Sequence, residues 1–132
     1  MKTLDQIVLL DDRRYTDEHV WIKKDGDSYL LGISDFAQDQ LGEVMFVELP
    51  SVGDSFDAGV PFGEVESIKS VNKLFTPVKA EIIEVNEVLN DASATINEEC
   101  YGKGWIVRAK VANEADIDGL LTADAYRAFL NK

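Results

Sequence analysis

Short strand-like segments, each ended by a glycine or a proline, limit the fold of this 132-residue chain more than any other feature. Apolar and polar residues alternate within these segments, as in half-buried strands, and glycine and proline interrupt regular structure. Residues 16–37 form one predicted hairpin around a Lys-Asp-Gly-Asp turn at residues 24–27. Further strands are predicted before Pro50, before Lys69, on both sides of Pro77, and after Gly104. This pattern favours a small sandwich or flattened barrel.

Two parts of the chain carry helical signals. The segment DFAQDQLG at residues 35–42 places its apolar residues on one face, behind an N-cap at Ser34 or Asp35. In the tail, Thr122 is predicted to cap a second helix, and apolar residues recur at helical spacing. These residues are Ile117, Leu120, Leu121, Tyr126, Phe129 and Leu130. We therefore predict one mainly-β domain over residues 1–132, with a core at about 14–112 and a C-terminal helical segment at about 113–132.

The charge balance and the cysteine content restrict partners and compartment. Asp and Glu number 25 against 13 Lys and Arg, a net charge of -12, which repels the phosphate backbone of nucleic acids. A surface of this kind also favours a monomer. No apolar run approaches the ~18 residues of a membrane span, and no signal peptide is predicted. The single cysteine, Cys100, excludes an internal disulfide and suits the reducing cytoplasm.

The residues needed for independent catalysis or for a metal site are scarce. His19 is the one histidine, so a histidine-based metal site would need carboxylates for its other ligands. Its position beside Val20 and Trp21 favours a structural role, and Cys100 has no evident partner base. The Gly-Lys-Gly segment before Trp105 lacks the spacing of a phosphate-binding loop. Four large apolar side chains are expected in the core or at its rim: Trp21, Met45, Phe46 and Trp105.

One lysine stands out by its place in the pattern. Lys69 lies in VESIKSVNKLF, between two predicted strands, with Glu64 and Glu66 upstream. A lysine at a hairpin tip is either a solvated surface charge or a point of covalent attachment. A primary amine on a flexible stem is what an acylating enzyme requires, and solvent can reach it at such a tip.

The segments around this lysine resemble one family, the H protein of the glycine cleavage system, which carries a lipoyl-lysine domain. The matching segments are YTDEHVW at 15–21, LGISDFAQDQLGEVMFVELPSVGD at 31–54, FGEVESIKS at 62–70, TPV at 76–78, EVNEVLND at 84–91 and INEECYGKGW at 96–105. The resemblance covers roughly residues 14–130. It implies a lipoyl-domain-like flattened sandwich of two small antiparallel sheets, with short helices and a C-terminal helix.

The resemblance also implies a cofactor and a role. Lipoate is expected in amide linkage on Lys69, since Ile68 and Ser70 replace the methionines that usually flank a biotinyl lysine. Glu64 and Glu66 are expected to mark this lysine for the attaching enzyme. Stem and lipoyl chain together would reach roughly 14 Å at ordinary bond spacing. The family catalyses no reaction of its own, and its expected partners are a lipoyl ligase or transferase, glycine decarboxylase, aminomethyltransferase and dihydrolipoamide dehydrogenase.

This chain departs from the family pattern at two acids. Val20 replaces a usual glutamate, and Lys73, four residues after the lysine, replaces a usual aspartate. Four residues are candidates for a pocket that receives the loaded arm: Glu18, Val20, Phe36 and Lys73. Losing two acids weakens the attraction for a cationic aminomethyl group. Two alternatives to the aminomethyl role stay open, and the first of them follows from this loss. One is an H-like lipoyl carrier that serves heterodisulfide-reductase-like sulfur oxidation or relays lipoate. The other is an unmodified structural or regulatory binding domain.

Overall fold

Residues 3–131 are described in a computed structural model of the chain, so the first two residues and Lys132 of the predicted 1–132 unit lie outside the described residues. The strands are β1 Arg14–Tyr15, β2 Val20–Asp25, β3 Ser28–Ile33, β4 Val44–Glu48, β5 Ser55–Phe56, β6 Pro61–Ser67, β7 Val71–Phe75, β8 Ala80–Val85 and β9 Val107–Val111. The α-helices are α1 Asp35–Leu41, α2 Val88–Asp91, α3 Thr95–Glu98 and α4 Ala123–Leu130. Two 3₁₀ helices span Leu4–Gln6 and Glu114–Gly119.

The strands form two antiparallel sheets. The larger sheet has the order β1-β2-β3-β9-β8-β5, and the smaller one has the order β4-β6-β7. The predicted hairpin at residues 24–27 is the β2–β3 connection, where Asp25 pairs with Ser28. The predicted fold class, mainly β with two antiparallel sheets, short helices and a C-terminal helix, is confirmed.

The main hydrophobic core draws on both sheets. Inward residues of β2 and β3 pack in one cluster with inward residues of the smaller sheet: Val20, Ile22, Leu31, Ile33, Val47, Val65 and Leu74. All of them are almost fully buried. Burial of each such side chain is worth about 1.5–3 kcal/mol, so this shared cluster fixes the smaller sheet relative to the larger one.

A second, smaller cluster lies under the C-terminal helix and contains Tyr15, Trp21, Ala123 and Tyr126. The Trp21 indole is fully buried and its Nε1 donates to the Cys100 carbonyl at 3.0 Å. A Cβ atom at Gly32, opposite Trp21 in the sheet, would lie 2.6 Å from the indole ring. Residue 32 is therefore glycine because the indole occupies the space that any side chain would need.

Two local predictions are corrected by the structure. The first tail helix is a 3₁₀ helix that ends at Gly119, and Leu121 is extended and bridges to Tyr15. Met45 and Phe46 were predicted to pack in the core or at its rim, yet their exposed fractions are 56% and 51%. A bulge between Val44 and Phe46 places two consecutive side chains on the outer face, which alternation alone does not predict.

Candidate functional site

Lys69 lies in the turn of the β6–β7 hairpin, and that turn is held by one hydroxyl. The Ser67 side chain accepts hydrogen bonds from the backbone nitrogens of Lys69, at 3.1 Å, and Ser70, at 3.2 Å. The Ser67 backbone nitrogen donates to the Ser70 carbonyl at 2.9 Å. Serine often closes turns in this way. Ser67 was not singled out from the sequence, although a serine two residues before the lysine was a usable signal.

The Lys69 side chain is exposed and lies against Gly42 at the end of α1. A Cβ atom at Gly42 would be 3.4 Å from Lys69 Cε and 3.7 Å from Nζ. Gly42 has φ 74°, a conformation that favours glycine, and its backbone nitrogen donates to the Gln38 carbonyl. The same residue therefore ends the helix and lies within contact distance of the lysine stem.

The two predicted recognition carboxylates lie on the outer face of the smaller sheet. Glu66 pairs with Phe46 on one side and with Val71 on the other. Glu64 pairs with Lys73 in β7, so an acidic and a basic residue are cross-strand neighbours. Both glutamates are on the strand that leads to Lys69, and both are half-buried.

A groove of about 380 Å³ runs beside the hairpin, between α1 and β7. Three of the four residues predicted to receive the arm line it, namely Glu18, Phe36 and Lys73. Ser70, the neighbour of Lys69, also lines it, so the groove opens at the lysine turn. Its remaining lining includes core residues Ile33, Leu41, Val65 and Leu74 and the polar residues His19, Gln40 and Asn72.

Val20, the fourth predicted arm residue, is not part of this lining. Its side chain is 1% exposed and packs in the main core, where Val20 pairs with Ile33. Val20 was named as a pocket candidate from its place in the family pattern, but the buried part of β2 begins there. A carboxylate at this position would be buried in the present packing and would cost several kcal/mol.

His19 connects the groove to the C-terminal helix. Its Nδ1 lies 2.6 Å from the Tyr126 hydroxyl, which also lies 2.8 Å from the Ser34 hydroxyl. Its ring is 5.0 Å from that of Phe36. His19 has φ 70°, a left-handed conformation in which His and Asn are among the favoured non-glycine residues. Burial lowers the pKa of the His19 imidazole, and the Asp17 carboxylate opposes that shift.

The lowered pKa of His19 predicts a pH-dependent stability. The stabilising contribution of neutral His19 is complete above the ordinary pKa of about 6.5 and is lost as pH falls through the lowered native value. We expect His19→Asn, which suits the same backbone conformation, to lack this dependence. Urea unfolding of the native protein and of His19→Asn between pH 5 and 7.5 measures both unfolding free energies. The difference between the two proteins should narrow at low pH. A difference that stays constant with pH would contradict the prediction.

Residues 3–131 contain neither a membrane-spanning helix nor a metal-binding cluster. None of the described helices is long and apolar enough to cross a membrane. In the same range, His, Cys, Asp and Glu side chains do not gather in groups of three or more that could hold a metal ion.

Comparisons with known proteins agree with one another. A family model described as "Glycine cleavage H-protein" matches residues 13–132. The glycine cleavage system H protein of Carboxydothermus hydrogenoformans is 44% identical over 125 residues, covering 95% of this chain and 96% of the relative. The one from Anaeromyxobacter sp. (strain K) is 47% identical over 122 residues, covering 92% and 95%. The crystal structure of a glycine cleavage system H protein from Mycobacterium marinum superposes with a TM-score of 0.86 at 37% identity, covering 94% of this chain and 100% of that one.

Proposed function

The chain belongs to the glycine cleavage H-protein family, a family of lipoyl carriers, and from this premise we propose that Lys69 holds lipoate in amide linkage and that the loaded chain shuttles an aminomethyl intermediate between partner enzymes. The observation that carries the proposal is the position of Lys69. Its amine is exposed at a turn held by Ser67, directly beside a groove. A fixed base and a flexible stem are what a mobile arm needs.

The attachment site fits the group that it is proposed to hold. Acylation joins the Lys69 Nζ to the carboxyl carbon of an activated lipoyl donor, such as an acyl adenylate. The bond from that carbon to the leaving group, AMP for an acyl adenylate, breaks, and the lysine ammonium loses two of its three protons to form a neutral amide. The stem lies against Gly42, and the Lys69 side chain is exposed to solvent. Lipoate supplies a dithiolane whose sulfur atoms carry the intermediate.

The groove supplies a resting place for the loaded arm. Its apolar floor, which includes Leu41 and Leu74, is suited to an alkyl chain, and burying each methylene there is worth about 0.8 kcal/mol. Glu18 is exposed at the groove and attracts a cationic aminomethyl end, whereas Lys73 repels it. Near a protein surface such a contact at 4 Å is worth up to about 4 kcal/mol before screening.

Partner enzymes carry out the chemistry in this proposal, and the chain itself is a carrier. Glycine decarboxylase loads the arm, aminomethyltransferase unloads it, and dihydrolipoamide dehydrogenase reoxidises the dithiol. A lipoyl ligase or transferase attaches the cofactor. The chain's own residues orient the arm, shelter its intermediate from water and present it to each partner in turn.

The decisive test is a reconstituted glycine–bicarbonate exchange. Lipoylated protein with glycine decarboxylase is expected to incorporate labelled bicarbonate into glycine, and the unlipoylated protein is expected to give only the background rate. The matched control is a lipoylated H protein of established activity, assayed at the same concentration. A lipoylated native protein that stays at background while this control is active would refute the aminomethyl role.

A further inference from the structure

Four exposed apolar side chains lie in or beside the lysine turn, three on strands of the smaller sheet and one, Ile68, in the turn itself. Met45, Phe46, Ile68 and Val71 have exposed fractions of 56%, 51%, 72% and 56%, so none of them contributes fully to the core. We call these four residues the tip patch. Phe46, Glu66 and Val71 form one row across β4, β6 and β7, which places Phe46 and Val71 about 10 Å apart on the same face.

Packing in the hydrophobic core does not account for the apolar side chains of the tip patch. The same strands bury Val47, Val65 and Leu74 on the opposite face, where they pack in the main cluster. The bulge in β4 adds to the effect, because it turns two consecutive apolar residues outward. Clustered apolar side chains on a charged surface are typical of a protein interaction site. Isolated ones elsewhere, such as Val52 and Val88, need no such explanation.

Carboxylates border the tip patch. Glu66 lies within its row, Glu48 and Glu64 form the next row together with Lys73, and Glu43 precedes β4, so carboxylates outnumber the one lysine of these rows. A second copy of this chain, which carries the same net charge of -12, would be repelled from this surface. The complementary partner has an apolar recess bordered by Lys and Arg side chains.

The partners that could use this surface differ in how far from the turn they act. The enzyme that acylates Lys69 must bring its activated carboxyl group to the bare amine, roughly 6 Å from the backbone of the turn. It must therefore touch the turn and the sheet beside it. Enzymes that act on the loaded arm work roughly 14 Å from the same backbone and can dock on other faces.

We propose that the tip patch is the docking surface for the enzyme that attaches lipoate to Lys69, and that this enzyme presents an apolar recess bordered by basic side chains. The proposal rests on the proposed function, since it needs Lys69 to be acylated. It adds apolar anchors, Phe46 foremost, to the carboxylates Glu64 and Glu66. The anchors supply affinity and the carboxylates supply orientation and association rate.

The test compares exposed residues of similar type inside and outside the patch. Phe46→Ser and Met45→Ser remove patch residues, and Val52→Ser and Val88→Ser remove equally exposed residues elsewhere. Each unlipoylated variant is titrated against a lipoyl ligase with lipoate and ATP, and the initial rate of lipoate incorporation is read by intact mass. We expect Phe46→Ser to raise KM for the carrier about 10-fold with kcat nearly unchanged, and the two control variants to match native protein.

Two further results separate this proposal from the function on which it rests. Native protein that takes up no lipoate would refute the attachment at Lys69. Native protein that is lipoylated normally, with the same KM in Phe46→Ser as in Val52→Ser, would refute the docking surface alone. Phe46→Ser that has been lipoylated to completion should retain native glycine–bicarbonate exchange. An equal loss in that reaction would overturn the assignment of the patch to the attaching enzyme.

Discussion

Lys69→Arg and Lys69→Ala are expected to take up no lipoate and to give only background activity in glycine–bicarbonate exchange. A guanidinium group stays protonated and is not acylated, so arginine cannot replace lysine even though it keeps the charge. Incubation with lipoyl ligase, lipoate and ATP, followed by intact mass and peptide mapping, measures the modification. Because Lys69 is exposed, the unfolding free energy of both variants should lie within about 0.5 kcal/mol of native.

The hairpin offers a matched control for this result. Lys73→Arg changes an exposed lysine on the adjacent strand and should remain fully lipoylated at Lys69. A lipoyl group found on Lys69→Ala would show that another lysine is modified. Native protein whose mass is unchanged by the ligase would favour the unmodified binding domain that the sequence left open.

The β2–β3 hairpin, α1 and the C-terminal helix could be predicted from local patterns, whereas the two antiparallel sheets were implied by the family resemblance. Alternation along β2 and β3 around Asp25-Gly26 specifies a hairpin, because one face of each strand must be buried. Ser34 before α1 is a standard N-cap, and its hydroxyl accepts from the Ala37 nitrogen at 3.1 Å. The Lys69 turn was located by the same reasoning, since it lies between two strand-like segments.

Features that depend on contacts between distant segments were not predictable in this way. Met45 and Phe46 face outward because of a bulge against β6, which has no sequence signature in β4 alone. Val20 was placed among the pocket candidates by its position in the family pattern, but its partner Ile33 and the core behind it decide its burial. Gly42 meets the Lys69 stem only because α1 and the hairpin turn are brought together.

The groove was predictable in part. Glu18, Phe36 and Lys73 were named from their places in the family pattern, and the structure brings all three to one groove. His19 was assigned a structural role, and it contributes to the lining as well as to packing. Its link to Tyr126 joins the groove to a helix that is more than a hundred residues away in sequence, which composition and periodicity do not reveal.

Removing that helix is expected to destabilise the whole structure. Deletion of residues 114–132 removes the fully buried Tyr126 ring, which stacks on Tyr15 with ring centroids 4.8 Å apart. It also removes the Leu121 bridge to Tyr15. Arg127, which donates to the carbonyls of Leu4 and Ile7, would be lost with them. We expect the truncated protein to be unfolded, or to melt more than 10 °C below the native protein. Circular dichroism at 222 nm measures this. Melting at the native temperature would show that the tail does not stabilise the domain.

Point variants of Tyr126 separate the ring from the hydroxyl. Tyr126→Ala is expected to lower the unfolding free energy by about 3–5 kcal/mol, as for other large-to-small changes in a core, and the melting temperature by roughly 10 °C or more. Tyr126→Phe keeps the ring but takes a hydrogen-bond partner from His19 and Ser34, which costs about 1–3 kcal/mol. Phe129→Ala, which removes a more exposed ring of the same helix, serves as the control and should lower the unfolding free energy less than Tyr126→Ala does.

Because His19 and Phe36 line the groove, Tyr126→Ala should also lower the rate of glycine–bicarbonate exchange by the lipoylated protein at temperatures where it remains folded. An unchanged exchange rate in the folded variant would show that the helix stabilises the sheet without shaping the groove.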